Sequence, residues 1–345
     1  MDFPQERPFV IAGPCSAESR SQVLEAAAAV KAAGVRYFRA GLWKPRTHPG
    51  GFEGLGAEGL PLLADVRRLY GLSVCTEVAS AAHVKACLDA GVDMVWIGAR
   101  TSGNPFLVQE IADTLSGADI PVLVKNPISP DAGLWAGAIE RLRLSGVSKV
   151  GAVLRGCPVP GGEKYRNQPY WSLSIELRTR FQDIPILADP SHMAGDRAYV
   201  RELSQRALDL GLDGLMIESH PEPEKALSDA SQQLSPQQLR DLLEGLSLPA
   251  ATSADGDYLQ AIDRLRARID LIDENLLALL RERSDASIAI GRYKKEHGVI
   301  ILQPGRWETV LGNMLERADA LGLSRELIKE VMNAIHADSV RLQER

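Results

Sequence analysis

Four residues scattered along the chain, Cys15, His192, Glu218 and Asp229, offer one thiolate, one imidazole and two carboxylates. That mixed donor set suits a divalent ion such as Mn²⁺, Fe²⁺, Co²⁺ or Zn²⁺. A fifth position left to water or a substrate oxygen would make the ion a Lewis acid. Six cations, Arg39, Lys44, Arg46, Arg100, Lys125 and Arg155, fall at comparable points of the sequence pattern. Crowded together they repel one another unless an anion neutralises them, and Arg suits two-point contact with phosphate or carboxylate. The expected ligands are anionic, with room for more than one phosphate group.

The elements before these residues explain why they share a register. Short apolar runs at 8–13, 36–41, 73–77, 93–98, 121–126, 150–156, 185–190 and 213–219 alternate with helical patterns such as 19–34, 80–91 and 112–117. Near-continuous apolar strands between helices mean a parallel sheet covered by helices. Eight such units predict a closed (β/α)₈ TIM barrel over residues 1–246. In order, the strand ends carry Cys15, Arg39 with Lys44, Glu77, Arg100, Lys125, Arg155, His192 and Glu218. A barrel gathers its catalytic groups on that rim. A doubly wound sheet would call for a Gly-rich dinucleotide fingerprint after the first strand, and GPCSAES is not one.

Residues 247–257, rich in Pro, Ala, Ser, Gly and Asp, read as a linker. From 258 to 345 no strand signal remains, and a small all-helical domain of three helices is expected. Ile262, Leu265, Ile269, Ile272, Leu276 and Leu279 repeat in steps of three and four, a coiled-coil-like seam too one-faced to bury itself, so the tail should dimerise, and a homodimer or higher homo-oligomer through tail and barrel is expected. Arg283 stands where the next hydrophobe is due, and Lys294 follows three turns later on nearly the same face. Two cations facing a helical interior await a dianion. Helices near 306–320 and 324–344 complete the domain.

The formal net charge of −6 argues against a nucleic-acid or membrane-surface partner. The widely spaced cysteines, Cys15, Cys75, Cys87 and Cys157, suggest neither a zinc ribbon nor a disulfide framework. Cys75 and Cys87 read as core, while Cys157 borders the Arg155 strand end. The first residues lack the basic and apolar regions of a signal peptide, and no run is long enough to span a membrane, so a cytoplasmic enzyme is expected.

AGPCSAES (12–19), KPRT (44–47) with its Gly-Phe-Glu-Gly turn (51–54), IGAR (97–100), VLVKN (122–126), LRG (154–156), DPSH (189–192) and IESHPEPEKALSDA (217–230) together resemble the 3-deoxy-arabino-heptulosonate 7-phosphate (DAHP) synthases of the shikimate pathway. The resemblance implies a metal held by Cys15, His192, Glu218 and Asp229. It implies phosphoenolpyruvate held by Arg39, Lys44, Arg100, Lys125 and Arg155, and erythrose 4-phosphate held by Arg46 and Thr47. The implied reaction is an aldol-like condensation in which Lys44 helps polarise the aldehyde and Glu77 is a candidate to orient the water. A Schiff-base aldolase using Lys44 or Lys125 is the rival chemistry, disfavoured by the metal quartet. The related octulosonate synthases typically lack KPRT, so an octulosonate-type activity on arabinose 5-phosphate is the less favoured substrate reading. His48-Pro49-Gly50-Gly51 departs from the family's commoner Ser-Pro-Tyr-Ser, and His48 and His220 flank mapped residues.

The tail, through RLRARIDLIDENLLALLRERS (264–284), IAIGRYKKE (288–296) and DSVRLQ (338–343), resembles the all-helical chorismate mutases. That resemblance implies chorismate binding by Arg266, Arg283, Lys294, Arg306, Ser339 and Gln343, with Lys294 and Gln343 at the breaking ether oxygen and Arg266 lent to the partner subunit's site. The pericyclic rearrangement to prephenate needs no acid or base, only fixed cations. Gln303-Pro304-Gly305-Arg306-Trp307-Glu308 replaces the family's Asp-x-x-Arg-Glu, so the carboxylate for the substrate hydroxyl is missing or displaced by one. Two functions follow as expectations. One is a bifunctional enzyme; the other is a synthase whose non-catalytic tail dimerises it and senses chorismate or prephenate. No regulatory domain is expected ahead of the barrel, so feedback would arrive through the tail.

Overall fold

The computed structural model describes all residues except 1–2, 5–6, 45–49, 160–163, 251–252, 302–303 and 344–345, and the side chain of residue 304. Arg46, Thr47, His48 and Gln303 therefore lie outside the described residues. The chain divides into two compact units, Met1–Ala251 and Thr252–Arg345.

The first unit is a closed barrel of eight parallel strands in chain order: β1 (Phe9–Gly13), β2 (Tyr37–Arg39), β3 (Ser73–Val78), β4 (Met94–Ile97), β5 (Val122–Lys125), β6 (Val150–Leu154), β7 (Ile186–Ala188) and β8 (Gly214–Glu218). Each falls within or across one of the eight apolar runs. Around them lie α1 (Arg20–Ala32), α2 (Leu60–Tyr70), α3 (Ala81–Asp89), the short α4 (Ala99–Ser102), α5 (Pro105–Leu115), α6 (Ala132–Leu144), α7 (Trp171–Arg180), the short α8 (Pro190–Ala194), α9 (Val200–Asp209) and α10 (Pro236–Glu244). The helical pattern expected over 112–117 is only the end of α5. That helix starts ten residues upstream of Leu115, where Asn104 accepts hydrogen bonds from Phe106 N and Leu107 N, and Gly117 at φ 77° lies past its end. Ser19, Ser80 and Asp131 cap α1, α3 and α6 in the same way.

Two apolar regions hold the barrel. One, between strands and helices, is built from outward residues such as Ala12, Val74, Val95, Val124 and Ile217. The other fills the barrel itself with Phe9, Ile11, Cys75, Met94, Trp96, Leu123, Val153, Leu187 and Met216. Cys75 and Cys87 are core residues, and burial pushes the Cys87 thiol up to about 12.

In the second unit, α11 (Gly256–Glu296) is a single helix of 41 residues, capped by Asp255 and followed by α12 (Pro304–Ala320) and α13 (Arg325–Gln343). Its carboxyl-terminal part packs on α13, where Ser287 and Gly291 are its buried residues. Of the seam, Leu265, Ile269, Ile272, Leu276 and Leu279 remain between 48% and 60% exposed within the chain.

The barrel closes where β8 pairs with β1, Gly214 opposite Phe9. A Cβ on Gly214 would lie 2.0 Å from the Phe9 carbonyl oxygen, backbone that has nowhere to move. Gly214→Ala should therefore lower the barrel's unfolding free energy by about 2 kcal/mol or more, read from denaturant titration. An unchanged midpoint would mean that the seam yields freely.

Candidate active site

Side chains along a strand alternate between two faces, so the residue two beyond an inward apolar side chain also points inward. From Ile11, Tyr37, Cys75, Trp96, Leu123, Val153, Leu187 and Met216 that step reaches Gly13, Arg39, Glu77, Gly98, Lys125, Arg155, Asp189 and Glu218. The layer above the apolar filling is thus charged, except at two glycines. Both leave needed space: a Cβ on Gly98 would lie 2.1 Å from Glu77 Oε1, and one on Gly13 would lie 2.2 Å from Arg39 O. Trp96 floors the layer. Its Nε1 donates to Glu77 Oε2 (3.2 Å), the Arg39 guanidinium sits 4.9 Å from its ring centre and Lys125 Nζ 5.7 Å.

On one side of this mouth, ligand atoms of Cys15, His192, Glu218 and Asp229 lie within 4.8 Å of one another. Cys15 Sγ is 3.4 Å from Asp229 Oδ2, and His192 Nε2 is 3.6 Å from Glu218 Oε1. The other ring nitrogen, Nδ1, lies 2.8 Å from Asp189 Oδ2, an arrangement that fixes ring orientation and strengthens a metal-binding imidazole. Asp189 also caps α8 by accepting from His192 N (3.0 Å) and takes Lys125 Nζ at 2.6 Å. Burial works to raise its carboxyl pKa, but His192 and Lys125 outweigh it and hold Asp189 well below the usual range. Glu218 and Asp229 are likewise held low against burial, Glu218 by His192 and Arg39, Asp229 by His192 and Arg166. Burial depresses His192 beyond what Asp189 and Glu218 restore, which keeps the imidazole neutral. Burial, then Glu218, push the Cys15 thiol up to about 12. Two ionised carboxylates, a neutral imidazole and a thiol that must give up a proton are donors that fit a divalent ion.

On the other side stand the cations. Arg39 is fully buried and donates to Glu218 Oε1 at 2.9 Å, yet its Nε and Nη1 have no hydrogen-bond partner among the described residues. Burial opposes its charge, but Glu218 and Asp189 more than compensate. Lys44 is raised in the same sense, since Cys15, Glu77 and Glu218 overcome its desolvation. Lys125 and Arg155 are lowered by burial. Arg155 is anchored through its backbone N to Asn126 Oδ1 (2.6 Å) and its Nη1 to Asn167 Oδ1 (2.8 Å). Arg100 is exposed, in the first turn of α4, and its charge reaches Arg155. The structure thus gathers Cys15, Arg39, Lys44, Glu77, Lys125, Arg155, His192, Glu218 and Asp229, with Arg100 outside the buried layer. Cys157 is buried and accepts from Asn126 Nδ2 (3.3 Å). His220 Nδ1 accepts from Glu222 N (3.0 Å), and its Nε2 lies 3.5 Å from Glu18 Oε2.

In the helical unit, Arg283 Nη1 donates to Ser339 Oγ, and Ser287 Oγ reaches the same oxygen at 3.3 Å. Gln343 lies so close to Gly291 that a Cβ there would be 2.6 Å from its Cα, and Gln343 Oε1 is buried with no hydrogen-bond partner among the described residues. Lys294, one turn past Gly291, donates to Ile301 O (2.6 Å). Arg283, Ser339 and Gln343 therefore line one stretch of the α11–α13 contact, and Lys294 lies one turn beyond Gly291 on α11. Arg266 does not join them: it is exposed near Asp263 (3.9 Å) and roughly 25 Å along the helix from Arg283. Arg306 and Glu308 are exposed on α12, and Trp307 stacks on His336 with centres 4.0 Å apart.

Comparison with known proteins settles the lineage. A model of the DAHP synthetase I family matches residues 4–247, and one of chorismate mutase type II matches residues 265–344. The chain belongs to the DAHP synthetase I family. Its barrel is followed by a chorismate mutase type II domain, so a transferase family and an isomerase family of the shikimate pathway share one polypeptide. The chain is 34% identical over 235 residues, 68% of each protein, to the phospho-2-dehydro-3-deoxyheptonate aldolase of Thermotoga maritima. The crystal structure of that DAHP synthase superposes with a TM-score of 0.62 over 68% of this chain and 67% of that one. A 2-dehydro-3-deoxyphosphooctonate aldolase of Nitrobacter hamburgensis is 29% identical, over 66% of this chain and 83% of that protein. No helix among the described residues is long and apolar enough to cross a membrane.

The sequence reading of this DAHP synthase barrel missed Asp189, Asn126, Arg166, Asn167 and Gln232 as parts of the site. Asp189 carried a usable signal, two residues beyond inward Leu187. Arg166 and Asn167 act from a loop, Asn126 from just past β5 and Gln232 from the 3₁₀ turn Ala230–Gln232, where the alternation of strands announces none of them.

Because the Cys15 thiol lies at about 12 while the other three donors are already unprotonated, metal uptake should release one proton. Mn²⁺ affinity should therefore rise about tenfold per pH unit near neutrality, measured by equilibrium dialysis. A pH-independent affinity would remove Cys15 from the ligand set.

Proposed function

We propose that the barrel condenses phosphoenolpyruvate with erythrose 4-phosphate to give DAHP and phosphate, and that the tail rearranges chorismate to prephenate. The observation that carries the first reading is Arg39. A fully buried guanidinium with two unpartnered nitrogens, beside Lys44, Lys125 and Arg155, calls for a buried anion. A divalent ion held by Cys15, His192, Glu218 and Asp229 would supply Lewis-acid polarisation of the aldehyde. Arg39, Lys125 and Arg155 hold phosphoenolpyruvate, with Arg100 at the outer edge, and Arg46 and Thr47 hold the sugar phosphate. The enol carbon attacks the aldehyde carbon, and Lys44, kept charged by its surroundings, donates the proton that makes the new hydroxyl. Glu77, fixed by Trp96, orients the water that adds at the former enol carbon before phosphate leaves with its bridging oxygen.

In the tail, Arg283 meets a carboxylate of chorismate and Lys294 its breaking ether oxygen, with the Gln343 side-chain amide beside it as a second donor. Two copies pair through the apolar seam of α11, and that pairing brings Arg266 of one to the pocket of the other.

Phosphate release by the intact chain should require erythrose 4-phosphate, be negligible with arabinose 5-phosphate, and vanish with chelator or in Cys15→Ala. Turnover preferring arabinose 5-phosphate would assign the octulosonate reaction instead. Chorismate absorbance should fall with the intact chain, and Lys294→Ala should slow that loss by about 100-fold or more. Binding of chorismate or prephenate without turnover would make the tail a sensing module. Ile272→Glu with Leu279→Glu should reduce the mass seen by light scattering from a multiple to one chain; an unchanged mass would place the contact elsewhere.

A further inference from the structure

The dipeptide Arg166–Asn167 belongs to the loop between β6 and α7 and contributes no ligand atom to the cluster of four donors. Its backbone is nevertheless fastened to the metal side of the barrel mouth: Arg166 N donates to Ala194 O (3.1 Å) and Asn167 N to Met193 O (3.0 Å), the two residues after His192. Gly195 makes this approach possible, since a Cβ there would meet Arg166 Cβ at 2.4 Å. From this anchor Arg166 Nη1 donates to Asp229 Oδ1 (2.9 Å) and to Gln232 Oε1 (3.1 Å), and Gln232 Nε2 donates to Glu218 Oε2 (2.7 Å). Arg166 therefore touches one carboxylate of the metal cluster directly and the other through a single amide. Asn167 Nδ2 donates to His192 O (2.5 Å), and its Oδ1 accepts from Arg155 Nη1 (2.8 Å).

Asp229 needs such a hold. Its backbone lies in the left-handed region at φ 47°, where a residue with a Cβ sits at a cost that the surroundings must offset. Asp229 Oδ2 faces Cys15 Sγ while Oδ1 is taken by Arg166, so the carboxylate is oriented with one oxygen toward the thiol and the other away. About half of the Arg166 side chain remains exposed, so its removal opens no large cavity in the core.

We propose that Arg166 is a positioning residue for the metal centre, setting Asp229 directly and Glu218 through Gln232, and that Asn167 ties this arrangement to the anion-binding Arg155. The inference rests on the metal reading of Cys15, His192, Glu218 and Asp229. Groups that orient metal ligands without touching the ion are commonly worth one to two orders of magnitude in affinity.

Binding of Mn²⁺ to the metal-free intact protein, followed by equilibrium dialysis, tests it, with the visible spectrum of the Co²⁺ form reporting ligand geometry. Arg166→Ala should weaken Mn²⁺ binding by roughly 10- to 100-fold and alter the Co²⁺ spectrum while the metal-free protein melts at the wild-type temperature. Arg166→Lys, which keeps the charge at Asp229 but not the fork to Gln232, should fall between the two. Asn167→Ala should raise the KM for phosphoenolpyruvate more than it weakens Mn²⁺. Wild-type affinity and spectrum in Arg166→Ala would overturn the proposal, as would a loss matched by a lower melting temperature of the metal-free protein. Failure of the wild-type protein to bind Mn²⁺, or equal binding by Cys15→Ala, would instead overturn the metal reading on which it stands.

Discussion

Eight parallel strands closed on themselves send every second side chain into a space that water does not fill. In the lower layers apolar groups occupy it without penalty. In the last layer before the mouth the occupants are ionised, and each ion removed from water costs several kcal/mol unless partners replace its hydration. The chain meets that constraint by interleaving signs. Arg39 answers Glu218, Lys125 answers Asp189, and His192 stands between the two carboxylates. Arg39 is left with Nε and Nη1 unused among the described residues.

Much of this was legible from residue order alone. Eight apolar runs, each ending on an ionisable group, define both the barrel and the side of it that carries the chemistry. The donor types at Cys15, His192, Glu218 and Asp229 single out a candidate metal site before any distance is known, and the structure brings the four together. The period of two was less fully used. Reading it strictly from Leu187 would have found Asp189 along with His192, and reading it from Trp96 would have reached Gly98 rather than Arg100, which lies outside the buried layer. Residues that hold others in place from loops, such as Arg166 and Asn167, left no trace in the apolar pattern. They sit in loops whose path is set by distant contacts, and a polar amide in a loop looks like any solvated one. The helix expected at 112–117 was misplaced for a similar reason: its start depends on the Asn104 side chain binding two backbone N–H groups, a local event that hydrophobic period does not register.

The helical unit obeys a different constraint. Where α11 meets α13, small residues let backbones approach: Gly291 accepts Gln343, and Ser287 meets Ser339. On α12, Trp307 stacks against His336 of α13, a further tie between the two helices.

Among the described residues of that unit, only Ser287, Gly291, Ala318, Ser339 and Leu342 are fully buried. A unit with so small a dry interior would gain folding energy from any cover on the open face of α11, in proportion to how much of that cover is present. The barrel has a filled interior of its own. Were copies to pair through that open face, as proposed, dilution would act on the helical unit first, and the abundance of the protein itself would set how much of that unit is folded.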